Sequence, residues 1–338
     1  MLIMNRVFTL LSRAGLNGFF LLMIVMVVLA WLFPEAGSVD SPLHLKEIGN
    51  VGVAFIFFFY GLKLDPSKLR ASIGNWKMHA LIQATTFLVF PIIILLFRAL
   101  FYSTEYDLLW TGTFYLAALP STVSSSVVMV SIARGNVPAA IFNASISSLI
   151  GIFLTPLWMN LVVSGDEISM NNLSGVIIDL CLQVLLPVAI GLALHRRIGY
   201  LADRFKSQLR YFDQAIILMI IFRAFCDSFL KKMFDGYSFH ELLILSALML
   251  LLFFIMLILM QLLSTQFGLD RQDRITVIFC GSKKSLVQGA VMGQVLFPDA
   301  AAFGIVLLPL MLYHALQLLA GSILAQQLAK HDSLGEAR

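Results

Sequence analysis

Charge is what this sequence has least of: 12% of its 338 residues are Asp, Glu, Lys or Arg, against 59% hydrophobic. A soluble domain carries about 25% charged residues, so this surface would aggregate in water. The mean hydropathy of +0.91 agrees. Polar stretches of domain length are also missing, so the function has to lie within the membrane. Cysteine is scarce, and Cys181, Cys226 and Cys280 sit far apart inside apolar segments. They read as small hydrophobes rather than disulfides or metal ligands. The net charge of +4 is spread among loops, which offers nucleic acid no basic patch. No H-E-x-x-H, G-x-S-x-G or P-loop occurs, so no enzyme, ATP-driven pump, metal site or cofactor is expected.

What is there is a series of apolar runs of about 20 residues, the length of a transmembrane helix and not of a barrel strand. Ten are expected, near 15–33, 47–64, 77–101, 108–132, 137–163, 173–195, 209–230, 239–264, 274–296 and 300–327. Arg6 and Arg13 precede the first without an A-x-A-like cleavage site, so it is expected to remain as a span. With the N-terminus placed in the cytoplasm, basic residues crowd the inner segments, most densely at Arg196, Arg197, Arg204, Lys206 and Arg210. Only Lys46, Arg98, Lys231 and Lys232 fall outside. This asymmetry fits a multi-pass inner-membrane protein with both termini cytoplasmic.

Ten spans divide into 1–165 and 166–338, and an odd number per half makes the halves inverted repeats. In each half the fourth span is interrupted by polar residues and joined to the fifth by a short turn. The first reads "ALPSTVSSSVVM" before "ARGN"; the second reads "CGSKKSLVQG" before "FPDA". Pro120 lacks an N–H and clashes with the preceding turn, so the helix should break there. Thr122, Ser124, Ser125 and Ser126 follow with hydroxyls for the freed backbone, and Gly281, Ser282 and Ser285 offer the same in the ninth span. Small residues also permit close helix packing. Paired breaks at corresponding positions, however, are the best sequence pointer to a transporter site.

Lys283 and Lys284 lie within that second break. An intramembrane charge costs about 3 kcal/mol on insertion scales, so an unrewarded pair is not expected. Snorkelling at the start of a helix is the bland alternative. Against it, Arg271 and Arg274 already mark the cytoplasmic edge, which puts the lysines about 13 Å deep at helical rise. No Asp or Glu occurs from 108 to 165 or from 275 to 298 to neutralise them. Either a lysine gives up its proton or an anionic substrate supplies the charge.

At "FCGSKKSL", with "ALPSTVSSSVVMVSIARGNVPAA" and "LLPLMLYHALQLLAG", the chain resembles the bile acid:sodium symporter family, most closely its YfeH-like branch. The resemblance covers all ten spans. It implies an all-α integral membrane fold with a panel domain (spans 1, 2, 6 and 7), a core domain (spans 3–5 and 8–10), and discontinuous spans 4 and 9 that cross. Carried onto this sequence, the family's sodium-binding oxygens match Ser125, Ser126, Asn143 or Ser145, and Thr86. On the ninth span the family's "E-V-G-M-Q-N" becomes "FCGSKK": the glutamate is gone and lysine stands in the amide region. The expectation is therefore a transporter without sodium coupling, in which a lysine ammonium holds the cation's place and a proton is the remaining coupling ion. Lys284 is expected to be the buried lysine.

Ser124, Ser125, Ser126, Thr86, Asn143, Ser145, Ser282, Lys283, Lys284, Ser285, Gln288 and His314 make up the candidate substrate and ion site. Arg223 and Asp227, four apart, are expected to pair within the seventh span, and Asp179 faces either the interface or the cavity. The overall expectation is a secondary transporter of a small organic anion working by alternating access. A membrane sensor or a channel of the same fold is the alternative, and a Ser–Lys hydrolase a more distant one.

Overall fold

Within lipid every backbone N–H and C=O must find a partner inside the protein, and the chain meets that demand with helices. The computed structural model describes residues 18–38, 41–64, 74–101, 103–162, 175, 178, 181–235, 237–297 and 299–335, and among these residues there is no strand. The helices are α1 (Gly18–Leu32), α2 (Leu45–Lys63), α3 (Trp76–Phe101), α4 (Asp107–Ala118), α5 (Ser124–Ile132) and α6 (Val137–Val162). They continue with α7 (Leu186–Arg204, entered through a π-turn at Cys181–Leu185), α8 (Lys206–Leu230) and α9 (Phe239–Gln266). The last are α10 (Arg271–Gly281), α11 (Leu286–Leu296) and α12 (Ala300–Gly335). Six helical stretches are long and apolar enough to cross a membrane. The chain is a multi-pass membrane protein.

Two packing groups organise the helices. α2 lies along α7, and α8 packs on α1 and α2; elsewhere α4 packs on α12, α9 on α10 and α12, and α5 on α6. α8 packs on α12 as extensively as on α1 and also touches α11, which joins the two groups. The α2–α7 contact is backbone on backbone. A Cβ at Gly61 would stand 2.1 Å from the Val188 carbonyl oxygen, and one at Gly191 would stand 2.1 Å from that of Phe58.

Two expectations need correction. The basic segment 196–210, read as a loop, is almost wholly helical: α7 runs through to Arg204, and only Phe205 separates it from α8. Arg and Lys are good helix formers, so charge ended the apolar run without ending the helix. The tenth helix likewise continues past 327 to Gly335. The expected start of the first span at 15–17, and Asp179, lie outside the described residues.

Candidate functional site

The fourth and ninth apolar runs are each two short helices. α4 stops at Ala118, Leu119 turns to extended backbone, and α5 begins at Ser124; α10 stops at Gly281 and α11 begins at Leu286. The helix therefore resumes earlier than the serine run suggested, with Ser124, Ser125 and Ser126 already inside α5.

The two breaks touch. Ser285 N–H donates to the Pro120 carbonyl at 3.0 Å. A helix end leaves its last carbonyls unpaired, and here they are satisfied across the contact. For α10, Ser121 Oγ donates to the Cys280 carbonyl at 2.6 Å and Ser126 Oγ to that of Phe279 at 3.1 Å. Ser282 Oγ takes the Ile278 carbonyl at 2.6 Å, and Tyr313 Oη takes that of Ser282 at 2.6 Å. For α4, Thr155 Oγ1 donates to the Ala118 carbonyl at 2.8 Å. The carbonyls of Ala117 and Leu119 receive Lys284 Nζ, each at 2.7 Å.

Lys284 Nζ has a third acceptor, the Thr86 carbonyl at 2.8 Å, and the local sequence explains why that oxygen is free. α3 carries a π-turn at Thr85–Val89, in which the Phe90 N–H bonds Thr85 O instead of Thr86 O. One residue on, Pro91 has no N–H to offer Phe87 O, and the Trp158 indole N–H supplies it at 2.7 Å. The Phe90 ring lies against the ammonium, with its centroid 4.3 Å from Nζ.

Lys283 is equally buried, each lysine being 0% exposed. Its Nζ donates to the Ser125 carbonyl at 3.3 Å and lies 5.4 Å from the Phe279 ring centroid. Gly321 of α12 lies against it, where a Cβ would stand 3.4 Å from Nζ, an ordinary contact distance. Burial therefore does not distinguish the two lysines; their partners do.

Of the hydroxyls and freed carbonyls expected to hold a lysine at the crossover, the carbonyls do so. Ser126 Oγ is spent on α10, Ser125 Oγ lies 3.5 Å from Thr122 Oγ1, and Thr86 contributes its backbone while its Oγ1 has no partner among the described residues. Asn143 bonds His79 and the Ala139 carbonyl and accepts from Gln83, and neither ammonium is among its partners. Ser145 is buried, Ser285 caps α11 by accepting the Gln288 N–H, and Gln288 Oε1 is buried without a partner among the described residues. Ser124 opens α5. Arg223 and Asp227 lie 3.8 Å apart on α8, the expected pairing.

Gln317 fixes the peptide that carries the lysine. Its Oε1 accepts the Lys284 N–H at 2.9 Å and its Nε2 donates to the Lys284 carbonyl at 2.8 Å, while His314 Nδ1 lies 2.9 Å from the same Nε2. Gln317→Leu strands two buried backbone groups at roughly 1–3 kcal/mol each. At roughly 2–4 °C per kcal/mol, thermal unfolding of the purified variant should move down by roughly 4–24 °C. Ser121, Ser147, Thr155 and Tyr313 were not singled out in the sequence. Ser121 and Ser147 stand among other serines and threonines, with Ser147 Oγ accepting the Ser121 N–H at 3.0 Å, while Thr155 and Tyr313 stand in apolar runs, and nothing local says which broken helix each serves.

Paired helix breaks sheltering each other inside a multi-pass helical protein are the pattern of membrane transporters. The family model of the SBF-like CPA transporter family matches residues 17–330, and the chain belongs to that family. It is 37% identical to an uncharacterised protein of Pseudomonas aeruginosa over 93% of each chain. It is 34% identical to "Putative symporter YfeH" of Escherichia coli over 92% of each. With "Sodium/bile acid cotransporter 7" of Danio rerio it shares 31% identity over 93% of this chain and 94% of the relative.

Proposed function

We propose that this transporter moves a small organic anion by alternating access, with the Lys284 ammonium as a tethered cation in place of a coupling sodium. The observation that carries this reading is the set of three carbonyls, from Thr86, Ala117 and Leu119, converging on Lys284 Nζ at 2.7–2.8 Å. An ammonium has three N–H donors and a neutral amine two, so three converging oxygens suit the charged form. Two of those oxygens belong to the C-terminal end of α4, where the helix dipole favours positive charge. The site is the kind a dehydrated metal cation would occupy, already filled by the chain itself.

Reciprocity of the breaks supports two inverted five-helix repeats: serines of the first break cap α10, and the lysine of the second caps α4. With α4–α5 and α10–α11 each counted as one broken span, ten spans result. The packing supports a panel of α1, α2, α7 and α8 against a core of the remaining helices. In this reading the termini are cytoplasmic, the membrane is the inner membrane, and protonation of the lysine takes the part that sodium plays in the relatives named as sodium cotransporters.

A carrier is distinguished from a channel or a sensor by reconstitution into vesicles. Uptake of a labelled small carboxylate should saturate with concentration and accelerate when unlabelled carboxylate is preloaded. Conductance without saturation makes the protein a channel, and binding without uptake makes it a sensor.

A further inference from the structure

Away from the crossover, beside the start of α2 and the end of α11, a cavity of about 220 Å³ lies between α2, the π-turn before α7, α8, α11 and α12. Its polar lining is Lys46, Asn50, Gln183, Arg223 and Gln294, and Phe297 forms part of an apolar wall. Two cations and three amides face a common space. Among the described residues none of the three amide side chains has a hydrogen-bond partner and Lys46 has no ion pair. Lys46 and Asn50 are exposed, whereas the Arg223 side chain is only 12% exposed, so the cavity runs from an open mouth to a buried cation.

The neighbouring carboxylates leave that cation underused. Asp299 is taken by Lys231 at 2.8 Å, and Glu47 faces His44 at 3.9 Å. Asp227 comes no closer to Arg223 than 3.8 Å, and its Oδ2 has no hydrogen-bond partner among the described residues. A guanidinium donates two parallel N–H bonds to a carboxylate, a stronger arrangement than this loose pair.

We infer that this cavity binds the carboxylate of a small organic acid, held by Arg223 and Lys46, with its apolar body against Phe297. At about 220 Å³ the cavity is below the roughly 300–1,000 Å³ of drug-sized sites, which excludes a steroid skeleton and admits a single ring or short chain. The site straddles both packing groups: Lys46, Asn50, Gln183 and Arg223 come from α2, the start of α7 and α8, while Gln294 comes from α11. α11 leads back to the break that holds Lys284, so a bound anion bridges the parts that alternating access would move. The site's place in transport rests on the proposed function; its binding chemistry does not.

The test uses the full-length protein in neutral detergent, titrated with benzoate, with benzamide as its uncharged counterpart and with cholate as a steroid carboxylate. Benzoate should stabilise the protein saturably, and benzamide and cholate should not. Arg223→Gln and Lys46→Gln should each weaken benzoate binding tenfold or more, Arg223→Lys should recover part of it, and Asp227→Asn should tighten it several-fold by removing the competing carboxylate. If Arg223→Gln does not fold, Lys46→Gln and Asp227→Asn carry the same comparison. Absence of benzoate binding, or binding indifferent to these substitutions, overturns the inference. Equal binding of cholate overturns its size class, and Arg223-dependent stabilisation by phosphatidylglycerol in place of benzoate reassigns the site to a lipid headgroup. Benzoate binding through Arg223 with no uptake into vesicles leaves the site standing and removes the transport reading.

Discussion

Lys284→Met is expected to insert, fold and purify like the parent chain, and to reduce vesicle uptake to the level of empty vesicles. Two large terms oppose each other in its stability. Three carbonyls lose their donor, at roughly 1–3 kcal/mol apiece, while removal of a buried cation relieves a desolvation penalty of several kcal/mol. The net change is small, so loss of transport cannot be attributed to loss of fold. Lys284→Arg should fail as well. A planar guanidinium cannot direct its donors at three carbonyls converging on one point 2.7–2.8 Å away. Lys283→Met should be milder, because a single longer bond to Ser125 O is lost. Uptake assays beside size-exclusion profiles check all three, and normal uptake by Lys284→Met would remove the lysine from the mechanism.

The second large effect lies in the helix pair far from the lysines. Gly61→Ala and Gly191→Ala each place a methyl 2.1 Å from a backbone oxygen of the facing helix, where no flexible side chain can yield. α2 and α7 must separate by about an ångström or more, at a cost of roughly 3 kcal/mol or more. Thermal unfolding should drop by roughly 6–12 °C for each variant. The glycines permit close packing and do not supply unusual torsion angles, so serine should be no better tolerated than alanine. An unchanged unfolding temperature would mean that the two helices are not packed this closely.

Much of this was legible in the sequence because breaking a helix is a local event. Pro120 and the Gly281–Ser285 stretch announce their interruptions through missing N–H groups and small polar side chains, and two adjacent lysines in an apolar chain demand a partner. The identity of the partner was not legible. Hydroxyls are written in the sequence and carbonyls are not, so Ser125, Ser126 and Thr86 drew attention for their side chains, whereas the lysines bond the backbone of Ser125 and Thr86. Freeing Thr86 O depends on the π-turn before Pro91, a shift of one hydrogen bond that apolar periodicity does not reveal. The cavity at Arg223 was invisible for a similar reason: Lys46, Gln183, Arg223 and Gln294 come from four separate runs and share no spacing. Arg196 to Arg204 misled in the opposite direction, since a positive run says where apolar burial ends and nothing about where hydrogen bonding ends.

We propose that the chain carries its own cation, the Lys284 ammonium, in place of a coupling sodium. At about 4 Å and an effective dielectric near 20, a sodium ion beside the ammonium would be repelled by roughly 4 kcal/mol, enough to weaken binding several hundred-fold. The most direct measurement is the initial rate of carboxylate uptake into vesicles with external sodium replaced, at constant ionic strength, by potassium and then by choline. Equal rates in all three, with no shift in thermal unfolding between sodium and potassium, are predicted. Uptake that rises saturably and specifically with sodium in the millimolar range, accompanied by sodium-specific stabilisation, would contradict the account.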